Sequence, residues 1–360
     1  MVMETQTPPR GSSLGGLSPF PATSTSEALG RLLPLPLAQR VLTPSGPRQV
    51  AELAVGGADA SGDAVVAVRT ISGHEVRASA STLFRTPAGD VAARDLRPGD
   101  QVYLQSNHGF WNPSDELPAV VGECRSFSPA LGALLGRVIG SGWMRSADAG
   151  SELVIAFPKE CDPARIQQTR LWLSELLGCA SRWLGRADGL WLTADLREVQ
   201  GLSVLGLPQA LSSEPGAGRG SARLPEAIFR APEAAVHAFL RTIFEDLAIV
   251  EEQAVRLEGS QAFLSDLQEL LSYLGVLAIR WESFGLGGAE LILPPKSVAA
   301  LPPATRPESW QGLGLPSYRA AVEPCVTTIS AVVEERASTG CGSVPTSVLA
   351  SMRGFLVKAG

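Results

Sequence analysis

The 360-residue chain has little lysine and little histidine. Lys159, Lys296 and Lys358 are the lysines among 30 basic residues, and His74, His108 and His237 are the histidines. The arginine bias reads as the coding habit of a GC-rich genome before it reads as function. Net charge is −6, so no general basic field draws the chain to nucleic acid or anionic lipid. The five cysteines, Cys124, Cys161, Cys179, Cys325 and Cys341, include no CxxC pair, and no histidine clusters with them. A disulfide framework and a zinc centre are therefore not expected, and no metal or cofactor is implied by spacing. No apolar run approaches the length that spans a bilayer, so no membrane partner is expected and cytoplasmic residence is the default. Met1 to Glu27 is rich in Pro, Ser, Thr and Gly without an apolar signal core, and residues 1–30 read as a disordered tail.

Hydrophobic residues make up 45% and charged residues 18%, an ordinary soluble balance, and the length suits two or three domains. The expected class is mixed α+β. Residues 31–118 read as short strands broken by Gly and Pro, among them 40–43, 64–70, 75–77 and 100–104. Residues 125–300 mix helices with strands, residues 301–316 form a Pro-rich connector, and residues 317–360 read as strands again.

The middle segment carries a diverged internal duplication, with halves at about 125–211 and 222–300 joined by the loop Ser212 to Ser221. One half opens with Leu131-Gly-Ala-Leu-Leu-Gly-Arg-Val-Ile-Gly-Ser-Gly142, the other with Ala238-Phe-Leu-Arg-Thr-Ile-Phe-Glu-Asp-Leu-Ala248. Each then shows two strands, a second helix and further strands. In the first half the second helix starts at Asp162-Pro163, an N-cap with proline behind it, and ends at Gly178. In the second half it starts at Ser260, carries Phe263, Leu267, Leu270, Leu271 and Leu274 on one face, and stops at Gly275.

Both opening helices resemble the LAGLIDADG helix of homing endonucleases, which ends in an acid followed by glycine. The resemblance implies a pseudo-two-fold αββα duplication with the two helices packed side by side. Close packing needs small residues on the facing ridges, here Gly132, Gly136 and Gly140 against Ala238 and Thr242. It also implies divalent metal held by the terminal acids for phosphodiester hydrolysis. This chain has Ser141 and Leu247 at those positions, so cleavage is not expected. Glu245 and Asp246 lie beside Leu247, but one residue along a helix turns a side chain by about 100°, and both are expected to face solvent.

Family members lay a sheet in the major groove, where arginine reads guanine. The corresponding candidates are Arg145, Arg182, Arg186, Arg256 and Arg280. Asp148, Glu152, Asp188, Asp195, Glu251, Glu252, Glu282 and Glu290 share these strands, and acids repel the DNA backbone. A solvated sheet surface stands beside a binding face as a reading.

The flanks are similar to the Hint fold of self-splicing inteins. Arg40 to Gly56 resembles the opening of that fold, and Gly73 to Thr82 followed by Ala93 to Asp100 resembles its second conserved block. Many inteins carry a LAGLIDADG endonuclease inserted in the Hint domain, and the order here matches. The resemblance implies a β-rich Hint-like module split around the duplicated unit. The splicing positions are changed: Leu33-Pro34-Leu35-Pro36 stands where a nucleophile belongs, Ser79 replaces a threonine, and Thr82 replaces a histidine. Proline has no nucleophilic atom and a hydroxyl cannot donate protons as imidazole does, so splicing is not expected.

Three functions follow. The first is a non-catalytic protein that binds double-stranded DNA. The second is a structural module that holds a protein partner. The third is a residual Mg²⁺-dependent endonuclease using Glu245 or Asp246. Both halves lie in one chain, so a monomer suffices.

Overall fold

A computed structural model describes residues 32–36, 40–43, 46–49, 64–104, 111–112, 114–147, 150–186, 189–195, 205, 207, 223–282, 288–318, 325–335, 341–345, 351–352 and 357–358. The tail expected over residues 1–30 and the loop from Ser212 to Ser221 lie outside them. The fold is mixed α+β. Among the described residues no helix is long and apolar enough to cross a membrane.

The duplicated unit runs α1 (Pro129–Ser141), β1 (Gly142–Ala147), β2 (Gly150–Pro158), α2 (Pro163–Leu177), β3 (Ser181–Arg186), β4 (Gly189–Asp195). It repeats as α3 (Glu233–Leu247), β5 (Ile249–Glu251), β6 (Ala254–Ser260), α4 (Gln261–Tyr273), β7 (Ile279–Glu282), β8 (Gly288–Leu293). Both halves form antiparallel four-stranded sheets with the same order, β1-β2-β4-β3 and β5-β6-β8-β7. Local sequence sets the helix boundaries. Ser128 accepts from Leu131 N to cap α1, Asp162 accepts from Ala164 N to cap α2, and Ser260 accepts from Phe263 N to cap α4. Gly178, at φ 69°, ends α2 in the left-handed region.

Helices α1 and α3 meet backbone to backbone. A Cβ on Gly132 would collide with the Ala235 carbonyl, and one on Gly136 would come within 2.6 Å of Phe239 O and 3.0 Å of Thr242 Cβ. On α1, Gly132 and Gly136 thus bring the backbones together, while Gly140 meets Asp246 and Ile243 at ordinary contact distance. On α3 it is Ala235, with Thr242, that meets the first two glycines, while the Ala238 carbonyl accepts from Thr242 Oγ1. α3 also begins five residues before the stretch read as its opening, so it packs along more of α1. The main core lies between this pair and the two sheets, with Leu131, Ile139, Phe239, Phe244, Leu257 and Leu291 buried.

The flanking strands interlace. One sheet has the order Glu75–Ser79, Val65–Thr70, Cys325–Glu335, Gln101–Leu104, so a strand following the duplicated unit lies between strands preceding it. Leu32–Pro36 pairs with Cys341–Pro345, and Arg40–Thr43 pairs with Ser351–Met352. This part has its own small core of Val66, Val68, Val76, Phe84, Leu96, Val102 and Ile329.

Residues 301–316 are more than a connector. Short 3-10 turns at Pro303–Thr305 and Glu308–Trp310 bring Trp310 onto Phe244 of α3, ring centroids 5.4 Å apart. The Arg306 side chain donates to the carbonyls of Leu301, Val298 and Pro316. Proline blocks regular structure, but one buried indole and one carbonyl-capping guanidinium hold the segment as a strap.

Candidate nucleic-acid interface

The two central helices end side by side, and the chain passes from each into the first strand of a sheet. Ser141 and Leu247 are both buried there. Asp246, expected to face solvent from its place beside Leu247, is turned inward instead. Its side chain is 6% exposed and accepts from Arg137 Nη1, from Arg165 Nη2 at 3.0 Å and from Ser141 Oγ at 3.3 Å. Glu245 is a quarter exposed and meets Arg137 Nη2 at 3.1 Å and Arg165 Nη2 at 3.0 Å. The reason is helical spacing: Asp246 lies four residues after Thr242, on the same packing ridge, opposite Gly140.

Burial first, and neighbouring Arg165 after it, pull the pKa of the Arg137 guanidinium down to about 10, while Glu245 opposes. Burial also pushes the nearby Cys161 thiol up. The Nε atoms of both arginines are buried without a hydrogen-bond acceptor. The metal implied by the helix motif does not fit these residues, because two guanidiniums engage the remaining carboxylates and Ser141 and Leu247 stand at the terminal positions. Among the described residues, no three His, Cys, Asp or Glu side chains gather as a metal group.

The outward face of the first sheet follows from strand alternation. Leu153, Ile155, Phe157, Leu192 and Ala194 point into the core, which leaves Glu152, Val154, Trp191, Thr193 and Asp195 on the opposite side, where Val154 and Thr193 are themselves buried. Register then places Trp143 and Arg145 of β1, and Arg182, Leu184 and Arg186 of β3, on that same face. Arg182 and Arg186 are exposed. Arg186 stacks over the Trp191 ring at 4.5 Å, and Trp191 meets Trp143 edge to face at 5.0 Å. Arg145 pairs with Glu152. Although burial alone pushes the Glu152 carboxyl up, hydrogen bonds from Arg145 and Thr193 hold it below its ordinary range.

The second sheet presents a different face. Ile249, Arg256, Ile292 and Ile279 form one row across it, and Glu258, Glu290 and Trp281 form the next. Arg256 is surrounded by Glu290 at 3.0 Å, Glu251 at 3.4 Å and Glu258 at 3.6 Å. Trp281 is 56% and Ile249 41% exposed. Arg280 belongs to the other side of the sheet, where it donates to Gly73 O at 2.7 Å and Gln261 O at 3.3 Å. As one of the five DNA candidates it is therefore misplaced: the strand brings Trp281, not Arg280, outward. Glu252 is not on a strand either. With Gln253 it forms the two-residue turn after Glu251, at φ 45° and 71°. Asp148 and Asp188 lie outside the described residues, as does the side chain of Glu282.

In the flanking strands, Ser79 and Thr82 are fully buried and joined by a Thr82 N to Ser79 O hydrogen bond of 2.9 Å. Ser79 Oγ lies 2.9 Å from Ser81 Oγ, whereas Thr82 Oγ1 is buried without a partner. Pro34 sits in the strand paired with Cys341–Pro345.

No protein-family model matches the chain. No curated protein matches it either. Among solved structures it resembles variants of the homing endonuclease I-DmoI at 14% identity and a TM-score of 0.36, over 48% of this chain and 95% of that one. It also resembles full-length DUF199/WhiA from Thermatoga maritima at 15% identity and a TM-score of 0.34, over 50% of this chain and 56% of that one. Against the N-terminal LAGLIDADG domain of DUF199/WhiA the identity is 15% and the TM-score 0.33, over 50% of this chain and 83% of the domain.

Proposed function

We propose that the chain is a non-catalytic protein that binds duplex DNA on a scaffold of the homing-endonuclease type, making contact through the outward face of its first sheet. The observation that carries this reading is the group Arg182, Arg186 and Trp191, two exposed guanidiniums and an indole on one face. Arginines on a sheet suit both phosphate contact and guanine recognition in the major groove. Absence of cleavage is supported by the helix ends, where Ser141 and Leu247 replace the motif's acids and Asp246 and Glu245 are tied to arginine. In this reading the flanking strands descend from a Hint-like fold whose splicing positions, Pro34, Ser79 and Thr82, no longer carry its chemistry. One copy of the chain supplies both sheets, so a monomer suffices.

The second face favours a second reading, contact with a protein. Exposed Trp281 and Ile249 among Glu251, Glu258 and Glu290 suit an apolar anchor with an acidic rim, and repel a phosphate backbone.

Binding to mixed-sequence duplex DNA, measured over a salt series with and without Mg²⁺, tests the first reading. The expected result is affinity that falls steeply with salt, without strand cleavage, and that weakens uniformly across sequences in Arg182→Ala. No binding at low salt overturns DNA binding. Mg²⁺-dependent nicking that disappears in Asp246→Ala overturns the non-catalytic assignment.

A further inference from the structure

The guanidiniums that tie up the helix-end carboxylates also have hydrogen-bonding capacity left over. Arg165, in the first turn of α2, spends Nη2 on both Glu245 and Asp246 at 3.0 Å each. Its Nε has no acceptor, and no bond from its Nη1 occurs among the described residues. Behind it Arg137, 4% exposed, also has an Nε without an acceptor. A guanidinium carries five N–H donors and no acceptor; both Nε atoms are closed off by protein, so Nη1 of the partly exposed Arg165 is the donor left for an oxygen ligand from outside.

Charge points the same way. Two carboxylates balance two guanidiniums, yet Arg165 still disfavours the charged form of Arg137. An oxyanion beside both cations relieves that repulsion, and the N-terminal turn of α2 adds the favourable end of a helix dipole. The C-terminal ends of α1 and α3 act against it. Arg165 is 28% exposed, so it is the member of the pair that an incoming group can reach.

The position suits the backbone of a duplex. α1 runs into β1 at Gly142 and α3 into β5 after Ala248, so the cluster lies where the two sheets begin. Trp143, on the side of β1 opposite the core but buried there, follows Ser141 by two residues.

We propose that Arg165, backed by Arg137, is a phosphate-contact residue, with a guanidinium bridging carboxylate and phosphate where the motif would place a divalent metal. The ligand chemistry is a phosphate oxyanion, from the DNA backbone or free in solution. This rests on the proposed DNA binding for its source, but not for its chemistry.

The test compares wild type, Arg165→Lys and Arg165→Gln, each checked for folding by thermal melting. Each phosphate neutralised contributes about 0.9 to the slope of log affinity against log salt. The expected result with mixed duplex is a slope smaller by about one in Arg165→Gln and retained in Arg165→Lys. In a second arm, inorganic phosphate is added at constant ionic strength set with chloride. Stabilisation of wild type but not of Arg165→Gln supports the oxyanion site, and if the DNA slope is unchanged it assigns the site to free phosphate. DNA binding with the same slope in Arg165→Gln, and no phosphate stabilisation in any variant, overturns the site while leaving DNA binding intact. Phosphate stabilisation without any DNA binding overturns the proposed function and keeps the site.

Discussion

Arg145 and Glu152 face one another across β1 and β2, and this pair gives the chain a titration that can be followed. The Glu152 carboxyl is held low in the folded state, because Arg145 and Thr193 favour its charged form more than burial disfavours it. A depressed carboxylate contributes stability that is complete above the unfolded value of about 4.3 and is lost as pH falls through the folded value. Glu152→Gln should therefore lower the melting temperature most near pH 6, with the difference from wild type shrinking toward pH 3. A difference that does not change over that range would remove this role. At the same scale, Asp246 shows what a single residue's neighbours decide. Its i+4 relation to Thr242 was legible in the sequence and places it on the packing ridge. Its partners were not, because Arg137 and Arg165 lie 109 and 81 residues away.

Among the elements, the helix pair was the most legible. Gly132, Gly136 and Gly140 recur every four residues, and such a ridge admits a second backbone at close range. Gly132→Ala tests this against the opposing trend, since alanine is a better helix former than glycine by about 1 kcal/mol. A Cβ at this position meets the Ala235 carbonyl, which belongs to backbone and cannot swing aside. The substitution should cost about 1–3 kcal/mol in urea unfolding, the range for overpacking a closed interface. A gain in stability would mean that the helices separate at no cost. α4 shows the limit of pattern reading. Its apolar face of Phe263, Leu267, Leu270 and Leu271 is buried, but so are Asp266, Gln268 and Glu269 on the other side. Amphipathic spacing marks one buried face, and it does not reveal a second partner that satisfies polar groups. Gln268 donates to Ser72 O and Ala278 O, and Tyr273 OH donates to Glu269.

For the whole molecule, those polar groups join the flanking strands to the duplicated unit. Arg40, from the strand Arg40–Thr43, lies 3.7 Å above the Phe229 ring and reaches Glu226 at 2.9 Å, Glu269 at 3.3 Å and Asp266 at 3.6 Å. Burial alone would disfavour its charge, but the three carboxylates more than reverse this and raise its pKa. Breaking a buried charge network leaves unpaired charge and costs about 3–5 kcal/mol. Calorimetry should show one cooperative transition for the wild type and two separated transitions for Arg40→Met, as the flank loses its grip on α4. Two transitions already present in the wild type would show that the network does not couple the parts.

The sequence by itself determined the caps at Asp162 and Ser260, the repeated order of helices and strands, the glycine spacing, and that Ser141 and Leu247, neither of them an acid, stand at the two helix ends. Each of these is written within a few residues, where hydrogen bonding and side-chain spacing act locally. Only the tertiary structure decided that Arg280 turns to the flank, that Arg256 sits among three glutamates, and that Asp246 is held by arginines from α1 and α2. Those outcomes depend on strand register and on partners far apart in the chain, and a one-residue change in register exchanges the two faces of a strand.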